Sequence, residues 1–281
     1  MSTLQLSSYE RMRRYLGDDD RQAITASVYK RRELLTWINS VSDAIERYLD
    51  RTLLIDDYTE YFRVRFGQTE FFPKAPPITA ITSVYEDPLG LWDTTNEAEI
   101  DDPIIGHFSN SVIIPDTLAF EVMKGVRIIY TGGMAYSGVQ SVFTVTDATA
   151  FTSGKFIVGT TSGALGIVRG GVTTALTVEV LGGKFTTEAI TEYTTEDESD
   201  ATAITDTISA VAQQSLAESY PAIVQACEIQ VLHMYKEKQT LELITQSRDG
   251  SSVRRQQPSV ANPFLAEATR FLQPYRRPSL G

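Results

Sequence analysis

The chain has 281 residues, 42% of them apolar, a net charge of −11 and one cysteine, Cys227. That length accommodates one large domain or two ordinary ones, the lone cysteine excludes an intrachain disulfide, and the acidic balance excludes non-specific nucleic-acid binding through neutralised phosphates. No run approaches the roughly 20 apolar residues of a membrane span, and Met1 to Ser8 lacks the charged and apolar regions of a secretory signal, so a soluble chain with no membrane partner, made in the cytoplasm, is expected.

Ser8 reads as the cap of a short helix from Tyr9 to Leu16 closed by Gly17, and Asp18, Asp19 and Asp20 as the cap and negative first turn of a second helix reaching Tyr29. From Arg31 to Arg51, Leu34, Leu35, Ile38, Val41, Ile45, Tyr48 and Leu49 recur at spacings of three and four, which predicts a long helix with one buried stripe. Tyr58 to Arg65 alternates as a strand, Gly67 turns it, Glu70 to Pro73 is extended, and Ile78 to Tyr85 is a second β-branched run. Residues 75–136 hold 9 acidic against 2 basic residues, with an exposed acidic loop expected from Asn96 to Asp102. Short strands at Val112–Ile114, Ala119–Val122 and Val126–Tyr130 complete a small sheet that ends at Gly132-Gly133.

From Ser137 to Gln213 the helical periodicity stops. These 77 residues contain 17 Thr and no Pro, His, Cys or Trp, and runs such as Leu176–Val180 alternate as strands do. Gly154-Lys-Phe156 and Gly183-Lys-Phe185 form a short internal echo. The stretch reads as an inserted all-β module, sandwich- or barrel-like, that folds on its own. Without it the flanks join, so the predicted organisation is an adaptor domain split between 1–136 and 214–281 around a module at 137–213. The fold class is α+β, a mostly helical host with a small β extension.

Pro221 suits the first position of a long helix through residue 244. Ile223, Val224, Cys227, Val231, Met234 and Tyr235 form its buried stripe, and Ala226, Ile229 and Leu232 a second apolar strip that predicts self-association. A short helix from Phe264 to Leu272 leads into an extended tail. There Phe271, Leu272 and Tyr275 supply apolar anchors, Pro274 stiffens the backbone, and Arg276 and Arg277 offer forked contacts to carboxylates, which together predict a docking arm for an acidic partner.

Sites for chemistry are scarce. His107 reads as a loop residue and His233 as a helix residue, without the spacing of a metal site or a triad. Asp18 to Asp20 is a helix cap rather than a cation loop, Glu196 to Asp200 an acidic hairpin tip, and Gly163 to Gly171 a set of β turns with no following helix to bind phosphate. Cys227 lies on the apolar stripe without a basic neighbour in sequence and reads as core. No enzyme activity, metal or cofactor is expected.

Six host segments carry a resemblance: Ile45–Arg51 closing a helix, Thr59–Tyr61 opening a strand, Pro77–Asp87, Tyr130–Gly133, Tyr220–Ala226 leading to Met234–Glu237, and Leu272–Arg277. In residues and in order the host resembles the head-to-tail connector (adaptor, or head completion) proteins of tailed bacteriophages, whereas the module is a departure from that pattern. The resemblance implies a structural protein of the virion neck, assembled in the host cytoplasm as a ring of identical copies, a dodecamer, beneath the portal protein. A tail-side neck or stopper protein then lies below, and double-stranded DNA passes through the channel without sequence-specific binding. It also implies that the arm reaches the portal or a neighbouring copy. Two alternatives stay open: a tail-side terminator or completion protein, expected to lack the Pro-Tyr-Arg-Arg arm, and a carbohydrate- or surface-binding protein centred on the module. The second would need exposed aromatics, drawn from Phe143, Phe151, Phe156, Phe185 and Tyr193.

Overall fold

The computed structural model describes residues 4–16, 28–64, 68–87, 97–106, 110–114, 125–198, 200–246 and 264–276. Contacts divide the chain into two compact units, one of residues 1–49 with 137–281 and one of residues 50–136.

The unit at 50–136 is a β structure in its own right. Alternation in Asp56–Arg63 (β1), Ile78–Asp87 (β3) and Gly125–Gly132 (β7) produces three long strands, joined by the short Ala98–Glu99 (β4) into a sheet of order β1-β7-β3-β4, antiparallel throughout. Glu70–Phe71 (β2), Ile104–Ile105 (β5) and Val112–Ile113 (β6) form a second, three-stranded sheet. One core holds the unit: Val64, Phe71, Ala75, Ile78, Val84, Ile100, Val112, Ile114, Val126, Ile128 and Tyr130. The buried Tyr130 hydroxyl donates to Glu60 and accepts from the Ala75 amide at 3.1 Å. Burial, and then the Glu60 carboxylate, push its ionisation well above the ordinary tyrosine value. At the end of β7, Gly133 has φ of +126° and a Cβ there would stand 2.1 Å from the Leu54 carbonyl oxygen, so the glycine pair is a requirement of close backbone approach.

Residues 140–213 form a seven-stranded antiparallel sheet of order β13-β12-β9-β10-β11-β8-β14. The strands are Gln140–Thr144 (β8), Phe156–Gly159 (β9), Leu165–Val172 (β10), Ala175–Gly182 (β11), Ala189–Tyr193 (β12), Ala201–Thr207 (β13) and Ala210–Gln213 (β14). Only Ile208 and Ser209 separate β13, which pairs with β12, from β14, which pairs with β8. One kinked strand therefore joins both ends of the sheet, and it closes into a small barrel with no long free edge. Phe143, Ile157, Val168, Leu176, Val178, Val180, Phe185, Ile190 and Ile208 are buried in it, with Phe143 and Phe185 5.1 Å apart. The glycine-rich run lies in and beside β10, where a Cβ on Gly171 would meet the Ala148 carbonyl at 2.0 Å.

The helices are Tyr9–Arg14 (α1), Val28–Leu49 (α2), Leu216–Ser219 (α3), Pro221–Gln246 (α4) and Ala266–Leu272 (α5). Ser8 caps α1 by accepting from the Arg11 amide at 3.2 Å, as its position predicts. The α2 stripe of Leu34, Ile38, Val41, Ile45 and Leu49 is buried, contributing on the order of 10 kcal/mol before ordering costs. The helices α2 and α4 run antiparallel: Ser42 lies 3.9 Å from Cys227, Trp37 packs edge-on against Tyr235 at 6.3 Å, and Glu33 pairs with Lys238 at 2.5 Å. No helix among the described residues is long and apolar enough to cross a membrane.

The mostly helical host expected from the sequence is corrected by this architecture: strand outweighs helix among the described residues. The error came from treating 50–136 as an extension. Its apolar residues alternate over eight- and ten-residue strands around a continuous core, which is enough to build a separate β unit. The strand expected at 119–122 and the helix before Val28 lie outside the described residues.

Candidate functional site

Three segments far apart in sequence meet where α2 ends and α4 begins. Tyr48, from the last turn of α2, packs edge-on against Phe264 at 5.5 Å and carries the Arg276 guanidinium 5.1 Å above its ring. Tyr220, preceding α4, packs edge-on against Tyr275 at 5.8 Å. Leu272 is wholly buried and Phe271 half-buried. The expected extended tail is therefore corrected over its described part: Gln273–Tyr275 is a 3₁₀ turn with Pro274 inside it, and the arm folds back on its own unit. The reason is that Leu272, Tyr275 and Arg276 each find a partner close by, a gain that a solvated extended form lacks. Arg277 lies outside the described residues.

On α4, Ile229 and Leu232 are half-buried and lie on the same strip as exposed Gln225 and Lys236, whereas Ala226 is fully buried within the chain. The outward strip is thus Ile229 and Leu232, with Ala226 turned to the core. Beside them, Cys227 is buried and burial pushes its thiol up to about 12, the state of an inert core residue.

The N-terminal segment clasps the barrel to α4. Arg11, on α1, puts Nε 2.6 Å from Glu228 Oε1 and donates through Nη1 to the Val180 carbonyl at 2.7 Å and the Leu181 carbonyl at 3.1 Å. Both side chains are buried, at 9% and 2% exposure. Ser7 donates to the same Glu228 oxygen at 3.0 Å, Ser8 donates to Glu179, and Arg14 bonds the Leu181 carbonyl and pairs with Glu196 at 2.8 Å. Glu179 in turn takes Arg169 at 2.7 Å. A guanidinium shared between a carboxylate and two strand carbonyls satisfies buried groups from three elements at once.

A second joint lies at α3. Ser215-Leu-Ala-Glu218 has the spacing of a capping box, but here it opens toward the barrel. The Ser215 amide donates to Ser141 Oγ at 3.0 Å, Glu218 takes the Phe185 amide at 2.9 Å on one oxygen, and its other oxygen meets Ser141 Oγ. Backbone bonds from Leu216 to Ser137 at 2.8 Å and from Ala217 to Gly138 at 2.9 Å complete it.

Neither joint was foreseen from the sequence. Signals were present in Glu228, an acid amid the apolar stripe of α4 that demands a buried partner, and in the Ser-x-x-Glu spacing at 215–218. Of the chemical candidates, His107 and Asp18 to Asp20 lie outside the described residues, and His233 is a half-buried helix residue 3.7 Å from Glu237. Glu196 is engaged by Arg14, and among the described residues no group of His, Cys, Asp and Glu is arranged to hold a metal. Phe143, Phe151 and Phe185 are buried, which removes three of the five aromatics available for stacking sugars.

No family model matches the sequence, and no curated protein matches it. Among solved structures the chain is similar to one in the neck of an empty GTA particle computed with C6 symmetry, at 11% identity and a TM-score of 0.39, covering 98% of this chain and 90% of that one.

Proposed function

We propose that this protein is a structural component of a phage-type virion neck, a connector whose copies form a ring between portal and tail. The observation that carries this reading is the cluster at the end of the helix pair. Three of the six segments on which the connector resemblance rests are Ile45–Arg51, Tyr220–Ala226 and Leu272–Arg277, the first separated from the other two by more than half of the chain, and their Tyr48, Tyr220, Tyr275 and Arg276 converge in one aromatic and cation–π cluster. Segments that resemble a family by chance have no reason to meet.

In this reading Ile229 and Leu232 contribute to contacts between copies, the C-terminal segment faces the portal or a neighbour, and DNA passes through the ring without being gripped. The acidic residues 50–136 suit that last role, since like charge keeps a phosphate backbone in passage rather than bound. The test is negative-stain microscopy and light scattering on the purified chain, alone and with portal rings, together with particles from a host carrying a deletion of its gene. Rings, or a discrete complex with portal, and filled heads without tails are expected. A monomer under both conditions with normal particles refutes the reading.

A further inference from the structure

In the unit at 50–136 the long strands differ in what flanks them. β7 lies between β1 and β3, and β3 between β7 and β4, whereas β1 is the edge of its sheet. The other sheet edges among the described residues are short or closed: β2, β4 and β5 have two residues each, and β13 and β14 join the ends of the barrel. β1 has eight residues, and its pairing with β7 runs from Asp56 opposite Gly132 to Arg63 opposite Gly125 without a register shift. A strand of that length presents a row of backbone donors and acceptors along its outer side, and three common guards, a proline, a bulge and a lysine, are absent from it.

Charge is the remaining guard, and on β1 it is laid out to attract. The exposed face of the strand is Asp57, Thr59, Tyr61 and Arg63, alternating with half-buried Tyr58, Glu60 and Phe62. An edge with charges of one sign repels a second copy in every register. An edge with an acid at one end and a base at the other attracts a copy of itself laid antiparallel. A two-fold axis at Glu60 sets Asp57 opposite Arg63 of the second copy and Thr59 opposite Tyr61 of the second copy, and repeats both pairs on the other side of the axis. Only this register matches the charges. Sliding one strand by a single residue turns its core to the opposite face of the joined sheet, and moving the axis to Thr59 or Tyr61 parts Asp57 from Arg63. Across the axis the two Glu60 side chains are on the inner face, where each carboxylate is already held inside its own unit by the Tyr130 hydroxyl and by the Lys74 amide at 2.8 Å. Asp57 accepts from the Thr131 hydroxyl at 2.6 Å through one oxygen, which leaves its other oxygen for an arginine.

We propose that β1 is a self-association surface, on which two copies of this chain join antiparallel into one continuous sheet with an Asp57–Arg63 pair at each end. Backbone bonds along the edge hold the pair together, and the charges set its register. A two-fold contact closes on two copies, so it does not build a ring whose members all point the same way. The pair is a state of the free chain that covers its edge, and the inference is independent of the neck reading.

The test uses the full chain. Sedimentation equilibrium at low salt should show particles of two copies, and hydrogen exchange of the β1 amides should slow as protein concentration rises. Asp57→Arg and Arg63→Glu each put like charges opposite one another at both ends, and each should weaken association about thirtyfold. An equal mixture of the two variants regains opposite charges at both ends, as does the double variant Asp57→Arg with Arg63→Glu, and both samples should associate as wild type does. The double variant carries the same changes as the singles, so a loss caused by misfolding persists in it and a loss caused by charge is reversed. That pattern of signs also separates this contact from a ring contact, which would not follow it. A wild-type chain that stays monomeric overturns the proposal. So do single variants that associate as strongly as wild type, or a mixture and double variant that remain as weak as the singles.

Discussion

Replacing Arg11 with methionine tests whether the N-terminal clasp holds the barrel to α4. The substitution keeps most of the side-chain volume but leaves Glu228, which is 2% exposed, with the Ser7 hydroxyl and no arginine, and leaves the Val180 carbonyl without the 2.7 Å bond from Arg11. An uncompensated buried carboxylate costs about 3–5 kcal/mol and an orphaned carbonyl about 1 kcal/mol, with overlap between the two, so a net loss of about 4 kcal/mol is expected. Glu228→Gln should cost only about 1–2 kcal/mol, because Arg11 keeps both strand carbonyls. The double variant should then cost about 1 kcal/mol more than Glu228→Gln, for the orphaned carbonyl, giving a coupling of roughly 3 kcal/mol. Cys227 provides the probe: it is the single cysteine, fully buried and adjacent to Glu228, so its labelling by a thiol reagent reports opening of this region. At about 1.4 kcal/mol per factor of ten, Arg11→Met should speed labelling by several hundredfold in dilute urea. A change under about tenfold, or a double variant whose loss is the sum of the two singles, would show that the ion pair is not what holds these elements together.

Leu272→Ala, at a wholly buried site, should lower stability by about 2–5 kcal/mol in calorimetry, and a loss under about 1 kcal/mol would mean that the root of the arm is not packed. Gly133→Ala should abolish soluble expression of residues 50–136, since the added Cβ would meet backbone 2.1 Å away at positive φ; recovery of normal yield would contradict that geometry. Ile229→Glu should leave the monomer's melting temperature almost unchanged while weakening assembly measured by light scattering, whereas Ala226→Glu, at a buried site, should unfold the chain. Equal effects from the two would dissolve the distinction between the strips. The isolated barrel, residues 137–213, should fold by circular dichroism because its sheet closes on itself, but melt below the full chain because the Arg11 bonds to the Val180 and Leu181 carbonyls and the Glu218 bond to Phe185 are lost; a random-coil spectrum would show that those joints are required for folding.

Local pattern made most elements legible. The α2 stripe, Pro221 opening α4, Ser8 capping α1 and the alternation at Asp56–Arg63 and Ile78–Asp87 all follow from side-chain periodicity and backbone chemistry that act within a few residues. The extent of 50–136 as a β unit was not legible, because Phe71, Val112 and Ile128 join one core across nearly sixty residues and short apolar runs carry no record of their partners. The barrel could be anticipated from threonine content and alternation, but not its closure by one kinked strand, which depends on a break of two residues at Ile208-Ser209. The joints escaped for a related reason. Arg11 and Glu228 are 217 positions apart, and although Glu228 on the apolar stripe calls for a buried partner, nothing local says that Arg11 supplies it. In the arm, Tyr275 reads as an apolar anchor and Arg276 as a carboxylate contact for a partner, whereas in the fold they pack on Tyr220 and Tyr48 of the same chain.

That internal grip bears on how the arm could serve a partner. Tyr275 on Tyr220 and Arg276 over Tyr48 are each worth about 0.5–1.5 kcal/mol, so releasing both costs about 2 kcal/mol and leaves a few per cent of molecules with the arm free. A partner that needs the arm extended therefore binds with an affinity reduced by that fraction. Removing one internal contact should raise the free fraction and tighten binding, although the protein itself becomes less stable. Tyr220→Ala, which spares every residue of the arm, should strengthen capture by portal rings about fivefold in a titration, and Tyr275→Ala, which removes an anchor from both states, should weaken it. If instead the partner reads the arm in its folded-back form, Tyr220→Ala must weaken capture as well, since the surface presented is then disturbed. The sign of the Tyr220→Ala effect separates an arm that is released to dock from one that docks as it stands, and weakened capture refutes release.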